Sequence, residues 1–280
     1  LLVNRALSQT EGWAVALRLL GLALRDDADA ARVMTAPRAS SHSQVLAFFL
    51  EEVYSQQPPA VQAMLLRTSI LDRLTPALCE AMTDDVRGEW TGQAFVDWLA
   101  STNLLVVPVD ADGVWFRLHG LLQRALQFRL QMTLEPAAIE ALHGRAAAWF
   151  EARGLVDKAI GHYLAAGVTD RAVHLVERHM LTLITREEWL RLEGWLHLLP
   201  PERVACNPVL LIGETWAMTL RQGYSQLQAR IEQIQQGTGL KTVRHYLLFS
   251  PRVQSGQGGR DDMVNALAYI ARFRPTVGFA

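Results

Sequence analysis

Side chains able to do chemistry fall at few useful spacings in this sequence. His174 and His179 lie five apart in helical text, so they point to different sides of a helix instead of sharing a metal ion. The adjacent Glu187 and Glu188 diverge in the same way, and both pairs read as surface residues. Cys79 and Cys206 are the 2 cysteines, and they offer neither a disulfide framework nor a metal-ligand spacing, which suits a reducing compartment. No G-x-x-x-x-G-K-[ST] run is present to cradle phosphates, no H-E-x-x-H to hold zinc, and no G-x-S-x-G to present a nucleophile. These absences weigh against a self-contained enzyme. One histidine stands apart by position: His119 closes the run Trp115-Phe116-Arg117-Leu118-His119, immediately before helical text.

The elements that must position His119 are a hairpin and a helix. Asn103-Leu104-Leu105-Val106-Val107-Pro108-Val109 and the run ending at His119 are separated by Asp110-Ala111-Asp112-Gly113, where Asp and Gly tolerate the positive φ of a tight turn. Pro108 cannot donate to a ladder, which places its strand at an edge, as in a hairpin without partner strands nearby. An isolated hairpin is marginal in water, so this one must lean on helices. Beyond it Leu118, Leu122, Ala125 and Leu126 recur at helical spacing, with Gln123, Arg124 and Gln127 filling the other face. A helix therefore begins near His119.

The rest of the chain is helical in pattern, and the expected fold class is mainly α. Its 280 residues are half apolar, enough for about two packed domains. A formal net charge of -1 excludes a chain that coats nucleic acid non-specifically. The apolar run Ala14 to Leu24 is interrupted by Arg18 and too short to span a bilayer, so no membrane is expected and the expected location is the cytoplasm. The text opens on Leu1 inside an apparent helix, as a piece of something longer would.

Four zones follow from the punctuation. Residues 1–35 read as a small helical domain, with Thr10 capping a stripe of Trp13, Ala16, Leu17, Leu20 and Ala23. A Pro/Ser-rich linker, Ala36 to Ser43, leads to residues 44–133. There Val45, Leu46, Phe49, Leu50 and Val53 form one stripe; Pro58-Pro59 restarts the chain before Val61, Met64 and Leu65; Thr75-Pro76 and Gly92 open two shorter helices. Several helices followed by a two-stranded wing is the order of a winged-helix domain. Residues 136–236 are purely helical text, stopped at Gly154, Gly167 and Pro200-Pro201, with stripes such as Val156, Ile160, Tyr163 and Leu164 or Val173, Val176, Met180 and Leu183. Short connections between such helices predict a TPR-like α-solenoid, although the strict tetratricopeptide consensus is not met. The tryptophans Trp13, Trp149, Trp189, Trp195 and Trp216 fall on or beside apolar stripes and read as core. Residues 237–280 form a poorly defined tail.

Several separate blocks carry a family resemblance. Thr10-Glu11-Gly12-Trp13, Phe49-Leu50-Glu51-Glu52-Val53, Leu66-Arg67-Thr68-Ser69-Ile70-Leu71-Asp72-Arg73-Leu74, Asn103-Leu104-Leu105 and Trp115 to His119 occur in the order and spacing seen in MalT-like regulators. So do His143-Gly144-Arg145-Ala146-Ala147-Ala148-Trp149-Phe150 and Gly154-Leu155-Val156-Asp157-Lys158-Ala159-Ile160. The chain resembles these LuxR-type, STAND-class ATP-binding transcription activators of bacteria over residues 1–235.

The resemblance implies a fragment from the middle of such a regulator. It would hold the small helical domain, the winged helix and part of an inducer-sensing superhelix, without the P-loop domain or the C-terminal DNA-binding helix-turn-helix. His119 matches the family histidine that reaches the phosphates of ADP and holds the closed, inactive state. An imidazole at a helix N-terminus, beside free N–H groups and the positive end of the dipole, is compatible with that role; a histidine bonded to backbone at a domain joint is the alternative. Gly12 and Trp13 match a Gly-x-Pro element near the adenine, with Ala14 where Pro is usual. The fragment alone is expected to bind no cofactor, ATP and ADP belonging to the full-length parent. Implied partners are a P-loop domain in cis, a small-molecule or protein inducer on the solenoid, a second copy on activation, and DNA only through the absent C-terminal domain. The competing function is a helical-repeat interaction scaffold with no nucleotide role.

Overall fold

The computed structural model describes residues 54–86, 88–101, 106–110, 114–186, 188–207, 209–211, 213–214 and 217 of the 280. The expected small helical domain with Gly12 and Trp13, the linker, the Val45–Val53 stripe and the tail lie outside the described residues. Contacts divide the chain at Trp149 and Phe150 into two compact units, which are taken in turn. The expected boundary was Pro136; the division falls within the helix that Pro136 opens.

The first unit begins with three short helices, α1 (Pro59–Thr68), α2 (Pro76–Thr83) and α3 (Gly92–Ser101). Each start has a local cause. Pro59 occupies the first turn of α1, where a missing N–H costs nothing. The Thr75 hydroxyl accepts from the Leu78 amide at 3.2 Å, and the Thr91 hydroxyl accepts from the Ala94 amide at 3.0 Å. Gly92 is required by close approach, since a Cβ there would lie 2.0 Å from the Pro76 carbonyl oxygen. The apolar stripes meet in a core containing Val61, Met64, Leu65, Leu78, Met82, Phe95 and Leu99.

The wing follows as β1 (Val106–Pro108) and β2 (Phe116–Leu118), antiparallel with Val106 opposite Leu118, Val107 opposite Arg117 and Pro108 opposite Phe116. The Asp110 carboxylate closes the turn side, accepting from the Val114 amide at 2.9 Å and the Trp115 amide at 3.1 Å. The hairpin is not without a partner, as the sequence had suggested. Leu74 bridges Phe116 on the other edge of β2, with Leu74 N–H donating to Phe116 at 2.7 Å and Phe116 N–H returning the bond at 3.0 Å. That third backbone neighbour supplies part of the support a lone hairpin lacks.

Helix α4 (Gly120–Thr133) leaves the wing and buries Leu122, Ala125, Leu126 and Leu130 against the unit, packing on α1. Helix α5 (Pro136–Ala152) follows. Within the first unit it meets the wing through an edge-to-face contact of Trp149 with Trp115, centroids 6.4 Å apart. It also meets the end of α2's turn through Arg145, which with Arg67 brackets the Asp85 carboxylate at 3.1 and 2.7 Å.

The second unit is helical throughout its described part: α6 (Val156–Ala165), α7 (Thr169–Thr185), α8 (Trp189–Leu198) and the short α9 (Pro201–Ala205). Gly154 and Gly167 stop the helices before them, both at φ 71°. In each case the glycine and its successor close on the preceding turn: Gly154 donates to Glu151 and Leu155 to Phe150, both at 3.0 Å, and Gly167 donates to Leu164 at 3.0 Å and Val168 to Tyr163 at 2.9 Å. Leu155 and Val168 then accept the first bonds of α6 and α7, so one residue ends one helix and starts the next. With links this short, α6 packs on α7 and α7 on α8 as helical hairpins, burying Val156, Ile160, Val173, Val176, Met180, Leu183 and Leu192. None of the described helices is long and apolar enough to cross a membrane.

Candidate functional site

His119 lies between the last residue of β2 and the first of α4, and is half-buried. Its carbonyl accepts the first turn-closing bond of the helix, from the Gln123 amide at 2.9 Å. The sequence-based placement at a strand-to-helix junction therefore holds. Leu118, on one side, is fully buried opposite Val106; Arg117 is exposed on β2 and Arg124 is exposed on the second turn of α4. Helix α4 contains no Asp or Glu and carries Arg124 and Arg129, so no carboxylate on the helix itself competes for the positive end of its dipole. The junction thus sets an imidazole at the N-terminal, positive end of a helix.

What holds the junction in place was missed by sequence reasoning. Gln123 and Gln127 read as part of an outward polar face, but both are half-buried and aimed at backbone. The Gln123 side-chain amide donates to the Ser69 carbonyl at 3.0 Å and the Leu71 carbonyl at 2.9 Å; that of Gln127 donates to the same Ser69 carbonyl at 2.9 Å. Residues 69–74 therefore grip both flanks of His119, α4 through the glutamines and β2 through Leu74 and Phe116. The one available signal was the i, i+4 spacing of two amides beside an apolar stripe, which marks a shared helix face without saying what it meets.

Other titratable groups sit elsewhere. Burial pushes the Cys79 thiol up to about 12, which makes it inert. His174 is exposed beside Glu177, whereas His179 is half-buried with its ring edge-on to Trp195, centroids 6.5 Å apart. The two histidines are not brought together, and burial, with Arg178 and Arg191 nearby, holds His179 below the usual imidazole range. Trp195 is core, as expected, but its indole N–H also donates to Asp157, which Arg191 grips as well while lying over the indole ring at 5.2 Å. The Arg191 bond and then the Trp195 bond hold the Asp157 carboxyl below its ordinary value against the opposing effect of burial. A second group joins Glu151 to Tyr163 at 2.6 Å and to Arg171 at 2.8 Å. Among the described residues, no group of three or more His, Cys, Asp or Glu could hold a metal ion.

The junction lies inside a stretch with a recognised counterpart: the family model described as the MalT winged helix domain matches residues 50–138. This is a MalT-like chain. It is 30% identical over 234 residues to the HTH-type transcriptional regulator MalT of Serratia proteamaculans, covering 83% of this chain and 25% of that protein. It is 30% identical over 238 residues to MalT of Cronobacter sakazakii, covering 84% of this chain and 26% of that protein. It is also 32% identical over 221 residues to the serine/threonine-protein kinase PknK of Mycobacterium tuberculosis H37Rv, covering 79% of this chain and 19% of the kinase. The MalT-like chain thus spans about a quarter of the MalT relatives and about a fifth of the kinase. Its mainly helical fold and winged helix are those expected of the resemblance, and Gly12 and Trp13 lie outside the described residues.

Proposed function

We propose that this chain is a regulatory portion of a bacterial MalT-like transcriptional activator, coupling nucleotide state and inducer sensing to transcription. The observation that carries the reading is the MalT winged helix at residues 50–138 with His119 at the start of its last helix. In this reading the winged helix closes on a nucleotide-binding domain when ADP is bound, and His119 contributes a donor to the ADP phosphates. The helical hairpins after Phe150 form a TPR-like sensor superhelix. Inducer binding there, with exchange of ADP for ATP, releases the closed state and allows self-association. Such a switch requires a nucleotide that makes different contacts in the two states, and His119 supplies such a difference. DNA contact belongs to a separate domain, and the fragment itself performs no catalysis.

The test is His119→Ala in a polypeptide that joins this chain to its nucleotide-binding domain. A hydrogen bond to a charged phosphate contributes about 1.5–3 kcal/mol, so ADP affinity is expected to fall roughly 10- to 150-fold. Basal transcription should rise. Unchanged ADP affinity together with unchanged basal activity refutes the assignment.

The match to PknK favours a second reading. A stretch of similar sequence within a protein kinase supports a module whose partner is another protein, a helical scaffold with no nucleotide role. The same His119→Ala measurement separates the two, because a scaffold predicts no change in ADP binding.

A further inference from the structure

We infer that Gln123 is a positioning residue for His119, acting through the carbonyls of Ser69 and Leu71. Three observations carry this inference. The backbone amide of Gln123 bonds the His119 carbonyl at 2.9 Å, so the two residues share the opening turn of α4. The side chain of the same residue reaches 52 to 54 positions back along the sequence, donating to Leu71 at 2.9 Å and Ser69 at 3.0 Å. The other flank of His119 is tied to the same segment, since Phe116 and Leu74 exchange both backbone bonds. Ser69 and Leu71 are fully buried, so the anchor points are parts of the core and do not move with solvent-exposed loop. The backbone that carries the imidazole is therefore a short span whose two ends are fixed to one six-residue segment. Gln127 secures α4 one turn further on at the Ser69 carbonyl alone, so its loss leaves the Gln123 clamp in place.

The chemistry of the clamp defines the variants. Two carbonyl acceptors require a donor, so Gln123→Met removes the clamp at nearly constant length, while Gln123→Lys restores a donor through its ammonium group. Gln123→Glu sets a carboxylate against two carbonyl oxygens and regains one donor only when protonated.

This inference deepens the nucleotide reading proposed above, and its test separates the two. In the full chain labelled with 15N-histidine, the His119 ring signals, assigned by their loss in His119→Ala, report tautomer and orientation. Gln123→Met is expected to move them and Gln123→Lys to return them toward the wild-type positions, while the half-buried His143 on α5 of the same unit stays fixed and shows that the unit is folded. Gln123→Glu should displace the His119 signals at neutral pH relative to wild type at the same pH. Coincident His119 signals in wild type and Gln123→Met overturn the inference. In the polypeptide bearing a nucleotide-binding domain, Gln123→Met should weaken ADP several-fold, with no added loss in the His119→Ala background. Displaced His119 signals without any effect of His119→Ala on ADP leave Gln123 as the positioning residue and overturn the nucleotide reading.

Discussion

Two glutamine amides share one carbonyl, and that arrangement makes a quantitative prediction about stability. Gln123 and Gln127 both donate to the Ser69 carbonyl, at 3.0 and 2.9 Å, and Gln123 alone of the pair also serves Leu71 at 2.9 Å. Methionine substitutions keep length and helix propensity while removing the donors. Gln127→Met leaves Ser69 with its Gln123 bond, so its cost is that of one ordinary hydrogen bond, about 0.5–1.5 kcal/mol. Gln123→Met strips the Leu71 carbonyl of its amide in a fully buried residue, and a buried group left without a partner costs about 1–3 kcal/mol. Only the double variant removes both donors from Ser69. It should therefore lose about 1 kcal/mol more than the sum of the singles, a coupling of the size found for groups in one network. Urea titrations at fixed m-value measure this directly. Additivity within about 0.3 kcal/mol would refute the shared-acceptor argument, because it would mean that each amide acts alone.

Two further outcomes follow from the packing. The folded Asp157 carboxyl is held below its unfolded value by Arg191 and Trp195, so its contribution is present above the unfolded carboxylate range near pH 4 and is lost as pH falls through the folded value; the pair is half-exposed, so the loss should be about 1 kcal/mol or less, with the Trp195 indole N–H resonance moving in the same pH window and staying flat in Asp157→Asn. Gly92→Ala should destabilise sharply because its Cβ would meet the Pro76 carbonyl at 2.0 Å, whereas Gly194→Ala, within α8 and with nothing within 4 Å, should stabilise by about 0.5–1 kcal/mol; equal effects in thermal melts would contradict both placements.

Most of the helical framework could be read from the sequence because its signals are local. Thr75-Pro76, Pro58-Pro59, Gly154 and Gly167 mark helix ends through chemistry that acts within four or five residues, and each one does so in the structure. The stripe of Val173, Val176, Met180 and Leu183 is buried as its spacing predicts. Local pattern does not say what lies across a gap in sequence. Leu74 has nothing in its own neighbourhood to mark it as a strand partner, yet it bridges Phe116. By pattern His179 reads as surface and Trp195 as core, and the fold makes them neighbours with Asp157 and Arg191 around the indole.

The same limit explains the site. His119 was legible because a hairpin pattern and a helix pattern abut at one residue, and a junction between two periodicities is a local event. Its supports were not legible, because their acceptors are main-chain carbonyls, and every residue in the sequence has one. A glutamine on a helix face can meet water, a side chain or a backbone group, and composition does not choose among them. In the sequence the segment Ser69 to Leu74 is only one block of a resemblance, while in the fold it is the seat on which both flanks of His119 rest. If that seat orients the imidazole, removing the Gln123 side-chain donor should move the His119 ring, and restoring a donor at the same position should bring it back.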